Sequence, residues 1–260
     1  VKQAAIGAIQ AGHNQYAPMT GLPGLQQAVA DHQKRFYGID HDPATEITIH
    51  AGATEALCAT FMALLAPGDE AIVFEPFYDA YLPGVALAQA KARVVPLAPP
   101  DFRLDPKALE AAVGPRTRLL VLNSPGNPSG RVFTREELAA IAALCVKRDL
   151  LVVTDEVYEH LVFAGAEHLP MATLPGLAER TLTISSGGKT FNTTGWKIGW
   201  VCGPAALVDA TKTAKQFLTY VNGAPFQPAI AVGLGLPDAF YSELAVDLEA
   251  CLVRERDGTA

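Results

Sequence analysis

The sequence has 260 residues, half of them hydrophobic, and a formal net charge of −7 at pH 7. This length and composition predict a large buried core and exclude an intrinsically disordered protein. The acidic balance argues against a nucleic-acid-binding protein, because such a protein needs a basic face to neutralise phosphates. We therefore expect one large globular domain with part of a second.

Cysteine and histidine residues are scattered along the chain. The cysteines are Cys58, Cys145, Cys202 and Cys251. Neither they nor the six histidines have metal-ligand spacing, so we predict free thiols, a reducing compartment and no metal site. The sequence has no apolar segment long enough to span a bilayer, and its start does not resemble a signal peptide. These features predict a cytoplasmic protein that binds neither membrane nor nucleic acid.

Short runs rich in Val, Ile and Leu alternate with amphipathic segments. The predicted strands cover residues 46–49, 71–74, 119–122, 150–153, 181–184 and 198–201. The predicted helices cover residues 54–65, 78–90, 134–148, 204–220 and 238–254, and the third begins with a capping box at Thr134 and Glu137. Continuous apolar strands alternating with helices are typical of an α/β fold whose mostly parallel sheet is covered on both faces.

Ligands of open parallel sheets bind at the carboxyl ends of the strands, so the polar residues there are candidates for a site. The first strand is followed by His-Ala-Gly-Ala-Thr-Glu at 50–55. Its small residues let backbone N–H groups approach an anion, and the N-terminus of the next helix adds a positive partial charge. The same turn is also compatible with an ordinary N-cap at Thr54.

Three further strand ends carry polar or aromatic residues. The segment 123–130 offers two asparagine amides as donors, although turn formers need no function. Asp155 ends an apolar strand, where a carboxylate is costly unless it caps a helix or meets a cationic ligand group, and Tyr158 faces the same side. The aromatic residues of 75–81 either fill the core or stack on a flat ring.

Lys189 lies among small and hydroxyl residues directly after a predicted strand. A lysine in a glycine-rich loop is often simply exposed, but a partly neutral amine is a nucleophile toward carbonyls. The strand ends together offer an anion site, an aromatic plate, amide donors, a carboxylate, a phenol and an amine. Pyridoxal 5′-phosphate needs these groups, including a lysine for its Schiff base.

Five motifs follow one another in a specific order: GATEA at 52–56, EPFYDAY at 75–81, NSPGNPSG at 123–130, TDEVYEHL at 154–161 and SSGGKTFNTTGWKIGW at 185–200. The chain thereby resembles the fold-type-I pyridoxal-phosphate-dependent aminotransferases of class I/II. The resemblance implies a three-layer α/β large domain with a mostly parallel seven-stranded sheet. Residues 215–228 are similar to N-succinyldiaminopimelate aminotransferases, within the branch of kynurenine/glutamine and methionine aminotransferases.

The resemblance also implies roles for individual residues. Lys189 would form the Schiff base, and Asp155 would keep the ring nitrogen protonated. The implied contacts are Asn127 and Tyr158 to the phenolic oxygen, Tyr78 or Phe77 stacked on the ring, Gly52, Ala53, Thr54, Ser186 and Lys197 at the phosphate, and Asn123 beside the substrate carboxylate. Tyr16 would reach the phosphate of a partner subunit, which implies a homodimer.

The chain departs from the family pattern in two respects. Lys197 stands where many relatives have arginine, which keeps the charge but loses the bidentate fork. Counterparts of the N-terminal substrate-binding segment and of the small domain, with its carboxylate-clamping arginine, are missing. We therefore expect a fragment: a cofactor-binding large domain at 1–236 with an incomplete N-terminal arm, and an interdomain helix with a truncated small domain at 237–260. Such a fragment would bind the cofactor and turn over poorly.

The implied reaction is the transfer of an amino group from an amino acid to a 2-oxo acid such as 2-oxoglutarate. N-succinyldiaminopimelate, an intermediate of lysine biosynthesis, is the expected donor. Kynurenine/glutamine and methionine transaminases are alternatives, as is a carbon–sulfur β-lyase that acts on cysteine conjugates or cystathionine. A more distant alternative is the aminotransferase-like domain of a transcription regulator.

Overall fold

The computed structural model describes residues 1–163 and 165–256. Within them, seven strands form one sheet: β1 (Ile47–His50), β2 (Glu70–Glu75), β3 (Lys91–Pro96), β4 (Thr117–Asn123), β5 (Leu151–Asp155), β6 (Thr181–Ser186) and β7 (Gly199–Cys202). Their order is β1-β7-β6-β5-β4-β2-β3. β7 is antiparallel to both its neighbours, and the other adjacent pairs are parallel. The predicted mostly parallel seven-stranded sheet is confirmed.

Helices cover both faces of this sheet. They are α1 (Lys2–Gln10), α2 (Pro23–Tyr37), α3 (Gly52–Leu64), α4 (Tyr81–Leu87), α5 (Pro106–Ala112), α6 (Arg135–Arg148), α7 (Gly187–Thr190), α8 (Ala205–Gln216), α9 (Gln227–Leu234) and α10 (Asp238–Arg256). Alternate residues of β2 and β4 belong to two hydrophobic clusters, one on each face of the sheet. Ile72 and Leu120 pack under α5 and α6, whereas Val73 and Val121 pack under α3 and α8. Since both faces are buried, the strands are continuously apolar, and the three-layer fold is confirmed.

The capping box of α6 forms as its sequence predicts. The Thr134 side chain accepts from the Glu137 N–H at 3.3 Å, and Glu137 Oε2 accepts from the Thr134 N–H at 3.0 Å. These bonds pair two backbone donors at the start of a 14-residue helix.

Thr134→Ala is expected to lower the free energy of unfolding by about 1 kcal/mol, because it removes this cap. Urea denaturation monitored by circular dichroism measures the change. Thr213→Ala is the matched control, since the exposed Thr213 hydroxyl only bonds back to Asp209 O within α8 and alanine is the better helix former. Equal losses in both variants would contradict the role of the cap.

The observed elements differ from the predicted ones at their ends, at one edge of the sheet and, among the described residues, by five helices that were not predicted, namely α1, α2, α5, α7 and α9. The predicted helix 54–65 begins two residues earlier, at Gly52, and the predicted helix 78–90 is shortened to α4. β3 was not predicted, because it is an edge strand whose residues, including Lys91, Val94 and Pro96, are largely exposed. It therefore lacks the apolar run that marks a strand buried on both faces.

Among the described residues, no single helix is both long and apolar enough to cross a membrane. The consecutive helices α9 and α10 meet that criterion only as a pair, and they are bent by 91° at their junction. The buried Tyr241 hydroxyl, which donates to Gly233 O and Leu234 O, joins α10 to the end of α9.

Candidate active site

An open cavity of about 690 Å³, its solvent-filled mouth included, lies at the carboxyl ends of β1, β4, β5 and β6. β7 runs in the opposite direction, so the residues that precede it reach the same edge. The lining residues are Gly52, Ala53, Thr54, Tyr78, Asn123, Asn127, Asp155, Val157, Tyr158, Ser186, Gly188, Lys189, Thr194, Lys197 and Ile198. The cavity thus brings together the predicted site residues except Tyr16, which is 80% exposed outside it.

One wall of the cavity is an anion cradle at the start of α3. Its N-cap residue, Ala51, provides no side-chain hydrogen bond, so the first turn keeps N–H donors for a ligand. Gly52 has φ +80°, and a Cβ there would lie 3.1 Å from Lys197 Nζ. The Lys197 ammonium group therefore lies directly over the turn, where it and the helix N-terminus favour an anion such as phosphate.

The alternative interpretation of Thr54 as a simple N-cap is wrong, because α3 already begins at Gly52. The Thr54 hydroxyl instead lies 3.3 Å from the Tyr78 hydroxyl, at the cavity wall. Tyr78 therefore faces the cavity, whereas Phe77, the alternative stacking residue, lines a separate pocket.

Gly199, the first residue of β7, permits the close packing that shapes this cradle. A Cβ at Gly199 would lie 2.7 Å from Gly52 C and 2.9 Å from Ala53 N. Gly199→Ala is therefore expected to displace the cradle, weaken the binding of a phosphate-bearing cofactor by at least about tenfold and destabilise the fold by about 2 kcal/mol.

Equilibrium cofactor titration and urea denaturation test the Gly199→Ala prediction. Gly195→Ala is the matched control, because a Cβ at Gly195 meets no heavy atom within 4 Å. We expect that control to stay within about 0.5 kcal/mol of the parent. Undiminished cofactor affinity in Gly199→Ala would show that the cradle tolerates the added methyl group.

Asp155 lies at the buried end of β5, with 4% of its surface exposed. Its Oδ2 accepts a 2.8 Å hydrogen bond from the Tyr81 hydroxyl, and its Oδ1 has a long 3.5 Å contact with the Val157 N–H. Burial raises the pKa of Asp155 to about 6, while the Tyr81 hydrogen bond and the Lys189 charge act in the opposite direction. Because burial penalises the carboxylate, a cationic N–H beside it would be bound strongly.

The Asn123 side chain holds two strand ends together. Its Nδ2 donates to Asp155 O at 2.8 Å, and its Oδ1 accepts from the Asn127 N–H at 2.7 Å. These bonds fix the turn that places Asn127 at the cavity. Asn123 also lines the cavity, and its predicted position beside a substrate carboxylate stays a prediction.

Lys189 belongs to the short helix α7, which directly follows β6. Its side chain is exposed to the cavity, with Nζ 5.5 Å from the centre of the Tyr158 ring. Gly188 allows the chain to fold closely here, because a Cβ at that position would lie 3.3 Å from Thr194 Cα. An amine and a phenol therefore face the same space as the buried carboxylate of Asp155.

Several residues near the cavity were not predicted. The lining also includes Val157, Gly188, Thr194 and Ile198. Tyr81 does not line the cavity but donates a hydrogen bond to Asp155. The sequence does indicate Tyr81 as a candidate, because it lies three residues after Tyr78 in the same motif at 75–81.

Lys215 had no comparable signal, since lysines of amphipathic helices are normally solvated. It is 1% exposed, and its Nζ donates to Met19 O and Ile49 O. Burial lowers its pKa to about 8. Its contact with Ile49, the residue before the end of β1, supports the segment that leads into the anion cradle.

A second polar cluster lies outside the cavity. His32, Glu159 and His160 place ligand-type atoms within 4.8 Å of one another, although their positions in the sequence predict no metal site. The two imidazole Nε2 atoms are 2.7 Å apart, whereas two nitrogens bound to one tetrahedral zinc ion lie about 3.3 Å apart. Burial lowers the pKa of His32 to about 3 and that of His160 to about 4. The geometry is that of a hydrogen-bonded pair of neutral rings, and the expectation of no metal stays a prediction.

Sequence comparison identifies the family. The aminotransferase class I and II profile matches residues 1–250. The chain belongs to the class I and II aminotransferases. It is 53% identical over 250 residues to a probable N-succinyldiaminopimelate aminotransferase of Mycobacterium tuberculosis, which covers 95% of this chain and 63% of that protein. It is 42% identical over 220 residues to the methionine aminotransferase of Escherichia coli, with 85% and 57% covered. For mouse kynurenine–oxoglutarate transaminase 3 the identity is 40% over 253 residues, with 91% and 56% covered.

Solved structures agree with this assignment. The N-succinyldiaminopimelate aminotransferase from Mycobacterium tuberculosis superposes with a TM-score of 0.97 at 52% identity, over 98% of this chain and 67% of that one. An Escherichia coli methionine aminotransferase gives 0.90 at 39% identity, over 94% and 64%. The fold-type-I architecture is thereby confirmed. The chain spans 56–63% of the length of the three curated relatives described above.

Pyridoxal 5′-phosphate is the cofactor of this family, as the sequence predicts. The cavity offers suitable groups for this cofactor at two separate places. The Gly52 turn beneath Lys197 is an anion cradle, and Asp155 is a buried carboxylate whose Oδ1 makes only a long contact with Val157. Between them lie the Tyr78 ring and the Lys189 amine. The residues present therefore fit the cofactor.

Proposed function

We propose that the whole protein is a pyridoxal-phosphate-dependent aminotransferase that moves an amino group from an amino acid to 2-oxoglutarate. The observation that carries this proposal is the convergence of Lys189, Asp155 and the Gly52 turn on one cavity, in a chain of the class I and II family. When bound, the cofactor supplies an aldehyde and an electron-withdrawing ring.

We assign the remaining steps to residues of the cavity. Lys189 holds the cofactor aldehyde carbon and, once a substrate amine displaces it, moves a proton at the substrate α-carbon. Asp155 keeps the ring nitrogen protonated by its negative charge. The supporting contacts we propose are Asn127 and Tyr158 to the phenolic oxygen, Tyr78 over the ring, Gly52, Ala53, Thr54, Ser186 and Lys197 at the phosphate, and Asn123 near the substrate carboxylate.

We further propose N-succinyldiaminopimelate as the amino donor, which places the protein in lysine biosynthesis. The support is the 53% identity to the Mycobacterium tuberculosis protein of that name, against 42% and 40% for the methionine and kynurenine relatives. Those relatives remain the alternatives for the donor. A β-lyase on the same scaffold would use the same lysine and carboxylate.

For the assembly, we propose a cytoplasmic homodimer in which Tyr16 reaches the phosphate site of the partner subunit. Tyr16 is 80% exposed and lies edge-on to Tyr220, with the ring centroids 5.8 Å apart. This arrangement leaves most of its ring available to a second copy. We also propose that residues 1–236 form the cofactor-binding domain and that residues 237–260, of which 257–260 lie outside the described residues, begin the connection to the small domain, because the long helix α10 starts at Asp238.

Assays of the complete gene product test the activity. N-succinyl-LL-diaminopimelate, methionine, glutamine and kynurenine are each supplied with 2-oxoglutarate, and glutamate formation is measured. We expect the succinylated diamine to give the highest kcat/KM. Activity on kynurenine without activity on the succinylated diamine would overturn the donor assignment, and release of pyruvate and ammonia from cystathionine without an acceptor would indicate a β-lyase.

The cofactor site has an independent test. Borohydride reduction of the cofactor-loaded protein, followed by peptide mass mapping, is expected to find a pyridoxyl group on Lys189. A pyridoxyl group on another lysine would overturn the assignment.

A further inference from the structure

Tyr81 is the first residue of α4, and 2% of its surface is exposed. Its hydroxyl donates to Asp155 Oδ2 at 2.8 Å across 74 residues of sequence. Burial, followed by the Asp155 charge, raises the pKa of Tyr81 well above its usual value of 10.0. The phenol therefore stays protonated and acts as a permanent donor to this carboxylate.

Tyr78 and Tyr81, the two tyrosines of the motif at 75–81, have different surroundings. Tyr78 lines the cavity, and its hydroxyl lies 3.3 Å from Thr54 Oγ1. Tyr81 packs edge-on against Tyr78, with ring centroids 5.7 Å apart, and does not line the cavity. Tyr81 therefore reaches the cavity indirectly, through its ring contact with Tyr78 and through its hydrogen bond to Asp155, and a phenylalanine at this position would keep the first and lose the second.

We propose that Tyr81 is a positioning residue for the aminotransferase reaction: it holds one oxygen of Asp155, keeps this carboxylate ionised and directs the other oxygen to the ring nitrogen of the cofactor. The proposal rests on the proposed function, because it assumes that the ring nitrogen meets Asp155. Asn123 Nδ2 donates to the main-chain oxygen of Asp155, and the Val157 N–H contacts Oδ1. Tyr81 is the side chain that donates to Oδ2.

The physical reason is the small margin by which Asp155 stays ionised. Burial and, to a smaller extent, the neighbouring Glu156 raise its pKa, while Tyr81, the Val157 N–H and Lys189 lower it, and the balance of these effects is a pKa of about 6. Without the Tyr81 hydrogen bond, the buried carboxylate would take up a proton close to neutral pH. A protonated Asp155 lacks the charge that keeps a ring N–H in place. Its carboxyl group would also rotate more freely, because the χ2 torsion of Asp is broad.

Tyr81→Phe in the full-length protein tests this role, with Tyr241→Phe as the matched control. Tyr241 is also a buried phenol, 5% exposed, but it donates to main-chain carbonyls of α9. In the cofactor-free protein, the carboxyl ¹³C shift of Asp155 is titrated against pH. We expect Tyr81→Phe to raise the pKa of Asp155 by at least about one unit and Tyr241→Phe to leave it unchanged.

In the cofactor-loaded protein, ¹⁵N NMR of the ring nitrogen and steady-state kinetics complete the test. Tyr81→Phe is expected to reduce the protonated fraction of that nitrogen and to lower kcat at least about tenfold, with KM changed less than about threefold. Tyr241→Phe is expected to lose stability without either change. If Tyr81→Phe behaves like Tyr241→Phe, its role is structural and the proposal is overturned.

A milder substitution keeps the test decisive if Tyr81→Phe does not fold. Incorporation of 3-fluorotyrosine at position 81 preserves the ring and makes the phenol a stronger donor, so the pKa of Asp155 should fall. An unchanged pKa would also overturn the proposal. A parent protein that binds no cofactor would refute the proposed function instead, while the titration of Asp155 in the cofactor-free protein would still measure the effect of Tyr81.

Discussion

Lys189→Ala is expected to lower the rate of transamination by at least about 10⁴-fold. In the proposed mechanism the variant removes both the covalent attachment of the cofactor and the amine that moves the proton, and general acid–base catalysis alone contributes 10²–10⁴-fold. The side chain is exposed to the cavity, with Nζ 5.5 Å from the Tyr158 ring centre, so its loss leaves the core intact. Thermal unfolding of the cofactor-free variant should therefore match that of the parent.

Single-turnover kinetics with the preferred amino acid measure this loss directly. Lys147→Ala is the matched control, because Lys147 is an exposed lysine in the last turn of α6 that pairs with Glu110 at 3.1 Å and does not line the cavity. We expect the control to retain the parent rate. A rate for Lys189→Ala within a hundredfold of the parent would show that another group performs the proton transfer.

Asp155→Asn is expected to have opposite effects on stability and activity. Asparagine keeps the size of the side chain and an oxygen that accepts from Tyr81, but it carries no charge to hold a ring N–H. We expect at least about a 10²-fold loss of transamination, because the proposed electrostatic interaction with the ring nitrogen is removed. In the cofactor-free protein the same change should stabilise the fold at neutral pH, since it removes a buried charge.

The pH dependence of this stabilisation has a definite sign. Below the unfolded-state pKa of 3.8, Asp155 is protonated in both states and its charge costs nothing. Between that pH and its folded-state pKa of about 6, the unfolded chain loses its proton first, so the parent protein loses stability as pH rises. Above about pH 6 the penalty is complete, and the shift of about two pKa units corresponds to roughly 2–3 kcal/mol.

Urea denaturation of the cofactor-free parent and Asp155→Asn at pH 4, 5, 6 and 7 measures this difference. The two curves should converge toward pH 4 and separate by pH 7, with the variant more stable. Asp149→Asn is the control, because Asp149 is an exposed aspartate whose side chain pairs with Arg180 at the surface. A stability difference for Asp155→Asn that is independent of pH would show that burial of the charge is not its cause.

The sequence predicted much of this site because of one geometric rule. Parallel strands end at the same edge of a sheet, so Gly52, Asn127, Asp155 and Ser186, which follow separate apolar runs, were expected to meet. Their positions at the ends of apolar runs are enough to predict that they lie at one edge of the sheet. The motif order then identified the family, which the comparisons confirm.

Other contacts depend on packing between residues far apart in the sequence. Tyr81 lies 74 residues from Asp155, and their hydrogen bond depends on how α4 packs against the sheet. His32 and His160 are 128 residues apart, and a scattered pair gives no spacing pattern from which to predict a contact. The apolar pattern shows that such segments are buried, but it does not specify which polar partners they meet.

The sequence by itself determined the α/β class, the family and the set of strand-end residues that suit pyridoxal phosphate. These follow from local features, namely apolar runs, turn formers and the order of five motifs. The resemblance implied that Lys197 and Gly52 share the phosphate site, and the tertiary structure gives the physical reason: β7 is antiparallel, so the residues just before it reach the common edge. The tertiary structure decided that Asp155 is held by Tyr81, because a buried carboxylate needs a donor and the packing of α4 supplies one.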